Sequence, residues 1–162
     1  MLDTVIWLIA IEIIGLASFP FCYYLFPFLR DRGYCVSKPI GILILGYFVW
    51  ILSVSNLLPS IQPTIIGLAI VFIGLSGFLS YKKRIELKLF ITENVKILLV
   101  TEAIFILFLL FWVIYKTYDP SINHTEQPMD FGFFNASIRS VYGHPQDPWL
   151  SGNSIDYYYF GY

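Results

Sequence analysis

Four long apolar runs dominate the first 118 residues, at Val5 to Leu29, Ile40 to Leu58, Thr64 to Tyr81 and Ile97 to Tyr115. Crossing a hydrocarbon core of about 30 Å takes roughly 20 consecutive apolar residues in a helix. Lipid offers no hydrogen-bond partner, so each run must satisfy its own backbone and is predicted to be a helix despite its β-branched residues. Pro20 and Pro27 each remove a helical donor and press on the preceding turn, which predicts a kinked or broken outgoing half for the first run. The pattern thus predicts an all-α membrane protein: a transmembrane four-helix region over 1–118, then an extracytoplasmic segment over 119–162 with a short helix and an aromatic-rich loop.

Composition agrees, with 57% hydrophobic and 13% charged residues and a mean hydropathy of +0.71; a soluble domain carries more charge. The formal charge of -1 conceals an asymmetry. The connection after the first run holds Arg30, Arg32 and Lys38, and the one after the third holds Lys82, Lys83, Arg84, Lys88 and Lys96. The link from Pro59 to Pro63 is uncharged, and beyond Tyr118 the only Lys or Arg is Arg139. Basic residues stay on the cytoplasmic side, so both termini are expected outside a cell membrane crossed several times. The same juxtamembrane placement gives no footprint for nucleic acid. Lys82 to Lys96 is expected to lie at the interface as a short amphipathic helix touching anionic lipid. The first run lacks the basic start and cleavage site of a signal peptide and reads as a retained span.

Two carboxylates fall inside the runs, where a mid-helix acid costs roughly 2.5 to 3.5 kcal/mol on insertion scales. From the run boundaries, Glu12 sits roughly 10 Å below the outer surface and Glu102 roughly 8 Å above the inner one, about 12 Å apart in depth. That separation predicts independent groups, each a protonated carboxyl bonded to a neighbouring helix. Gly41, Gly46, Gly67, Gly74 and Gly77 suit close helix packing. Cys22 and Cys35 match no metal-site spacing and read as structural.

The remaining chemistry lies in EQPMDFGFFNASIRSVYGHPQDPWLSGNSIDYYYFGY. Asp119-Pro120 ends the fourth helix. A short helix is expected from about Pro128 to Ser140, burying Met129, Phe133, Phe134 and Ile138. Glu126 and Asp130 are four apart at its start, so their side chains fall roughly 6 Å from one another. Both lie in positive helix-end potential, which keeps carboxylates ionised. Ionised carboxylates take a divalent cation or accept a proton from a nucleophile, although capping and dipole compensation are the plainer roles of acids at a helix start. GHPQDPWLSGN reads as an ordered loop in which Asp147 bonds its own backbone. His144 reads as structural or solvent-facing. Trp149 and Tyr157 to Tyr159 suit either the headgroup belt or stacking on a sugar face.

The words EQPMDF, NASIRS, QDPWLSG and IDYYYFG, in this order between Glu126 and Gly161, resemble the signature of the YYY membrane-protein family. Members are long polytopic proteins of unknown function, similar in layout to type C glycosyltransferases. The close likeness covers about 36 residues; the upstream helices agree only in kind. The resemblance implies a polyprenyl-phosphate sugar donor and transfer on the extracytoplasmic face. It gives Glu126 or Asp130 the role of base or of ligand to a divalent metal, magnesium or manganese, with Asp147 a third candidate. Arg139 would contact phosphate, and Trp149 with Tyr157, Tyr158 and Tyr159 would form a sugar or lipid platform.

Family members continue through further spans, so the chain is expected to be the N-terminal portion of a longer protein or one part of a split one. Its remaining transmembrane portion would then be a separate chain, and it would be inactive alone. Two other classes stay open: a four-span interaction subunit whose aromatic tail docks on a partner, and a transporter piece using Glu12 and Glu102. Asn123-His124-Thr125 and Asn135-Ala136-Ser137 are sequons.

Overall fold

The computed structural model describes residues 2–155 and 159–161, with the backbone alone for Tyr159. Five α-helices occur among them: α1 (Leu2–Leu25), α2 (Tyr34–Val54), α3 (Gln62–Lys82), α4 (Arg84–Tyr118) and α5 (Gln127–Arg139), followed by a single 3₁₀ turn at Tyr159–Gly161. No strand forms among the described residues; one isolated bridge joins Gln146 and Ser154. The first four helices are long and apolar enough to cross a membrane. By internal contacts the chain divides into two units, Met1–Gly46 with Leu68–Ile114, and Tyr47–Gly67 with Tyr115–Tyr162; α2, α3 and α4 supply residues to both.

In the first unit α1 and α2 meet along small and polar residues. Gly15, Ser18 and Cys22 are buried on α1, and Ser37, Lys38 and Gly41 on α2. The Ser18 hydroxyl donates to the Ser37 carbonyl across this seam. A Cβ at Gly41 would strike Ile14, including its carbonyl oxygen at 2.9 Å, and one at Gly15 would meet Lys38 Cγ at 2.6 Å. Close backbone approach through small residues is how helices pack where lipid is as apolar as leucine. By contrast, Gly46, Gly67, Gly74 and Gly77 would meet nothing within 4 Å, so packing within the chain accounts for only one of the five glycines singled out from the sequence.

A cluster of Phe19, Leu87, Phe90 and Leu98, flanked by Tyr23 and Tyr34, forms the apolar centre of this unit. Phe19 meets Tyr34 edge-on at 5.3 Å. Between α1 and α2 the turn is closed by Asp31, whose carboxylate accepts the Gly33 N–H at 3.2 Å and the Cys35 N–H at 2.8 Å. Burial pushes the Asp31 carboxyl up, but these backbone donors outweigh it and hold the group below its usual range.

Two sequence expectations are corrected, and one is met in part. α1 continues through Pro20, where one missing N–H leaves the rest of the ladder intact, so no break falls there; the helix does break within the first apolar run, ending at Leu25 just before Phe26-Pro27, where the residue preceding proline leaves the helical region. No separate interfacial helix forms over Lys82 to Lys96: Lys82 closes α3, and Arg84 to Lys96 are the opening turns of the 35-residue α4. Lys38, assigned from sequence to a cytoplasmic connection, is buried in α2.

In the second unit, the link after α2 is stitched to the segment after α5. Ser60 N–H donates to the Val141 carbonyl at 2.7 Å, and Gly143 N–H to the Ser53 carbonyl at 3.2 Å. Trp50 and Phe160 meet edge-on at 5.3 Å.

Candidate functional site

α5 begins one residue earlier than its sequence signal, after Glu126 at the N-cap, with proline in its first positions and Asp130 in its first turn. Thr125 takes a positive φ of 45°, and Gln127 N–H reaches back to the His124 carbonyl at 3.0 Å. The exposed Glu126 makes no side-chain capping bond. Asp130 is half-buried. The plain capping role is therefore not what occupies the Glu126 carboxylate.

The loop after α5 folds back onto it. Trp149 lies over Gly132, where a Cβ would collide with the indole ring, and meets Phe133 edge-on at 5.3 Å. Asp147 builds the turn that presents this tryptophan, its Oδ1 accepting the N–H groups of Trp149 at 2.8 Å and Leu150 at 3.0 Å. Antiparallel pairing closes the loop, with Asp147 N–H on the Asn153 carbonyl at 2.9 Å and Ile155 N–H on the Pro145 carbonyl at 2.8 Å. Ile155 is almost fully buried beneath it. Trp149 stays largely exposed, one edge anchored and the rest available for stacking.

Of the predicted residues, Glu126, Asp130 and Trp149 thus fall on the first half of α5 or against it. Arg139 does not join them: it is exposed in the last turn, nine residues or roughly 13 Å along the helix axis from Asp130. Asp147 serves the turn. Tyr157 and Tyr158 lie outside the described residues, as does the side chain of Tyr159. Among the described residues no group of three or more metal-ligating side chains occurs. The Glu126 and Asp130 pair offers hard oxygen ligands in the small number that magnesium takes beside substrate phosphates and water.

Upstream, Asp119 Oδ1 accepts from Ser121 Oγ at 3.2 Å and lies 3.2 Å from His124 Nε2. Hydrogen bonding to His124 first, and then to Ser121, holds this half-buried carboxyl below its usual range. The same imidazole nitrogen faces both partners, so the trio closes a loop and does not have the arrangement of a nucleophile, a base and an orienting acid.

A second polar centre, which sequence reasoning divided into independent groups, lies in the first unit. Lys38 Nζ is 3.3 Å from Glu12 Oε2 and 2.5 Å from Glu102 Oε1. Tyr34 donates its hydroxyl to the same Glu102 oxygen at 2.6 Å, and the Lys38 ammonium sits 4.4 Å from the Phe105 ring centre. The depth difference expected from sequence fails because the helix bounds differ. Glu12 lies ten residues into α1 and Glu102 eighteen into α4, so both are mid-helix, and the long lysine stem spans what remains. The signal that could have found this is the rule that intramembrane acids pair, applied to the nearest basic residue bordering an apolar run.

Four apolar spans and a polar cluster bonded across three of them define a multi-pass helical membrane protein. The family model described as Uncharacterized membrane protein (DUF2298) matches residues 44–162, and the chain belongs to that family. The match runs through α5 and the aromatic loop. No curated protein and no solved structure matches.

Proposed function

We propose that the α5 segment forms the acceptor-activating part of a lipid-linked sugar transferase acting at the extracytoplasmic face, the function implied by its resemblance to the YYY family, whose members are similar in layout to type C glycosyltransferases. The observation carrying the reading is Glu126: an exposed carboxylate at a helix start, four residues from Asp130, unused as a cap. One of the two takes the proton of the acceptor hydroxyl. The acceptor oxygen then bonds to the anomeric carbon, and the bond from that carbon to the phosphate oxygen breaks, releasing polyprenyl phosphate. A magnesium or manganese ion held by Glu126 and Asp130 would neutralise charge on that phosphate. Trp149 presents an exposed aromatic face for a sugar or lipid chain. The basic residues at 30–32 and 82–96 support an outside location for α5 and both termini, and Lys82 to Arg84 suit contact with anionic lipid headgroups.

The test is transfer from a radiolabelled polyprenyl-phosphate sugar in native membranes, which retain any separate transmembrane partner chain. Glu126→Gln with Asp130→Asn keeps shape and removes charge. Transfer falling to background at undiminished protein level supports the assignment; undiminished transfer sinks it.

A further inference from the structure

The geometry points to a proton-binding site among the spans: Glu12 and Glu102 share one exchangeable proton beside Lys38. Charge counting comes first. Two carboxylates and one ammonium leave an excess negative charge on mid-helix groups, and a carboxylate at that place in a membrane span neutralises by taking a proton instead of remaining charged.

Hydrogen-bond counting leads to the same place and names the atom. Lys38 Nζ serves Glu12 Oε2 and Glu102 Oε1, and the Tyr34 hydroxyl adds a second donor to Glu102 Oε1. Glu12 Oε1 is buried and has no donor. An ionised carboxylate with one oxygen so abandoned forfeits a hydrogen bond to water and gains none. With a proton on Oε1, Glu12 becomes a donor, and its other oxygen already shares the Lys38 ammonium with Glu102 Oε1. The proton belongs to the pair and not to either residue, as in any closely coupled dyad. A metal cation is disfavoured because the ammonium already stands between the carboxylates.

The charged and titratable groups facing the site are Glu12 from α1, Tyr34 and Lys38 from α2 and Glu102 from α4. This site lies in a different unit from Glu126 and does not depend on the transferase reading.

Infrared spectroscopy of the full chain in lipid nanodiscs tests the proposal, because a protonated carboxyl shows a carbonyl band that carboxylates lack and that shifts in deuterium oxide. At neutral pH the native chain is expected to show one such band per molecule. Glu12→Gln and Glu102→Gln should each abolish it, since a single remaining carboxylate is neutralised by Lys38. Lys38→Met should double it, and if that variant fails to fold the two glutamine variants still decide. No band in the native chain overturns the proposal, as does a band that persists in both glutamine variants. A band that appears only when sodium is replaced by a bulky organic cation also overturns it, in favour of a bound metal cation.

Discussion

Gly41 and Gly46 lie on one helix, yet their surroundings differ in a way that isolates a packing energy. A methyl at Gly41 would meet the Ile14 carbonyl oxygen at 2.9 Å and Ser18 Cβ at 3.1 Å, besides clashing with the Ile14 side chain, whereas a methyl at Gly46 meets nothing within 4 Å. Replacing glycine by alanine in a helix gains about 0.8–1.0 kcal/mol in propensity, and this gain cancels when Gly41→Ala is compared with Gly46→Ala. What remains is the overpacking cost, about 1–3 kcal/mol. The upper part of that range is expected, because a backbone carbonyl on α1 cannot rotate away as a side chain can. Gly41→Ala should therefore unfold more readily than Gly46→Ala by that amount, measured as reversible unfolding in mixed micelles followed by circular dichroism. Equal stabilities to within about 0.5 kcal/mol, the scatter of substitutions that touch nothing, would refute the reasoning. So would a Gly41→Ala protein more stable than Gly46→Ala.

Three further outcomes are expected. Asp147→Ala releases two backbone donors at about 0.5–1.5 kcal/mol each, so amides across 147–155 should exchange with solvent faster by mass spectrometry while those of α1 do not. Trp149→Ala forfeits an edge-on contact worth about 0.5–1.5 kcal/mol beyond its buried area; Gly132→Ala should disturb the native chain but be tolerated once Trp149 is alanine, a non-additivity that a double-mutant cycle reads directly. Asp31 contributes stability that is fully present above its unfolded pKa and is lost as pH falls through its depressed folded value. Acidification below the usual carboxylate range should therefore loosen the 26–34 turn toward limited proteolysis, and Asp31→Asn should remove that dependence on pH.

The spans were legible because lipid leaves the backbone one way to satisfy itself, and the apolar runs mark where this applies. α5 was legible to within a residue, since proline at its start and the change of composition bound it tightly. Lys38 was not: one residue from proline and two from the apolar run, it looks like a loop residue until α2 is seen to begin at Tyr34. Its partners were visible, but their meeting depends on where each helix begins, and an error of a few residues at 1.5 Å each was enough to separate them. Among the loop residues, Asp147 disclosed its turn, while the seating of Trp149 on Gly132 is a contact seventeen residues away along the chain that no local pattern announces.

The unbroken course of α4 also has a mechanical meaning. Its 35 residues span roughly 52 Å, well beyond the thickness of hydrocarbon, and no loop interrupts the helix between its lysine-bearing start and Glu102. A helix without a joint behaves as a stiff rod. Leverage applied at Arg84 to Lys96, by a headgroup or a partner, is felt as displacement at Glu102 instead of being absorbed by a hinge on the way.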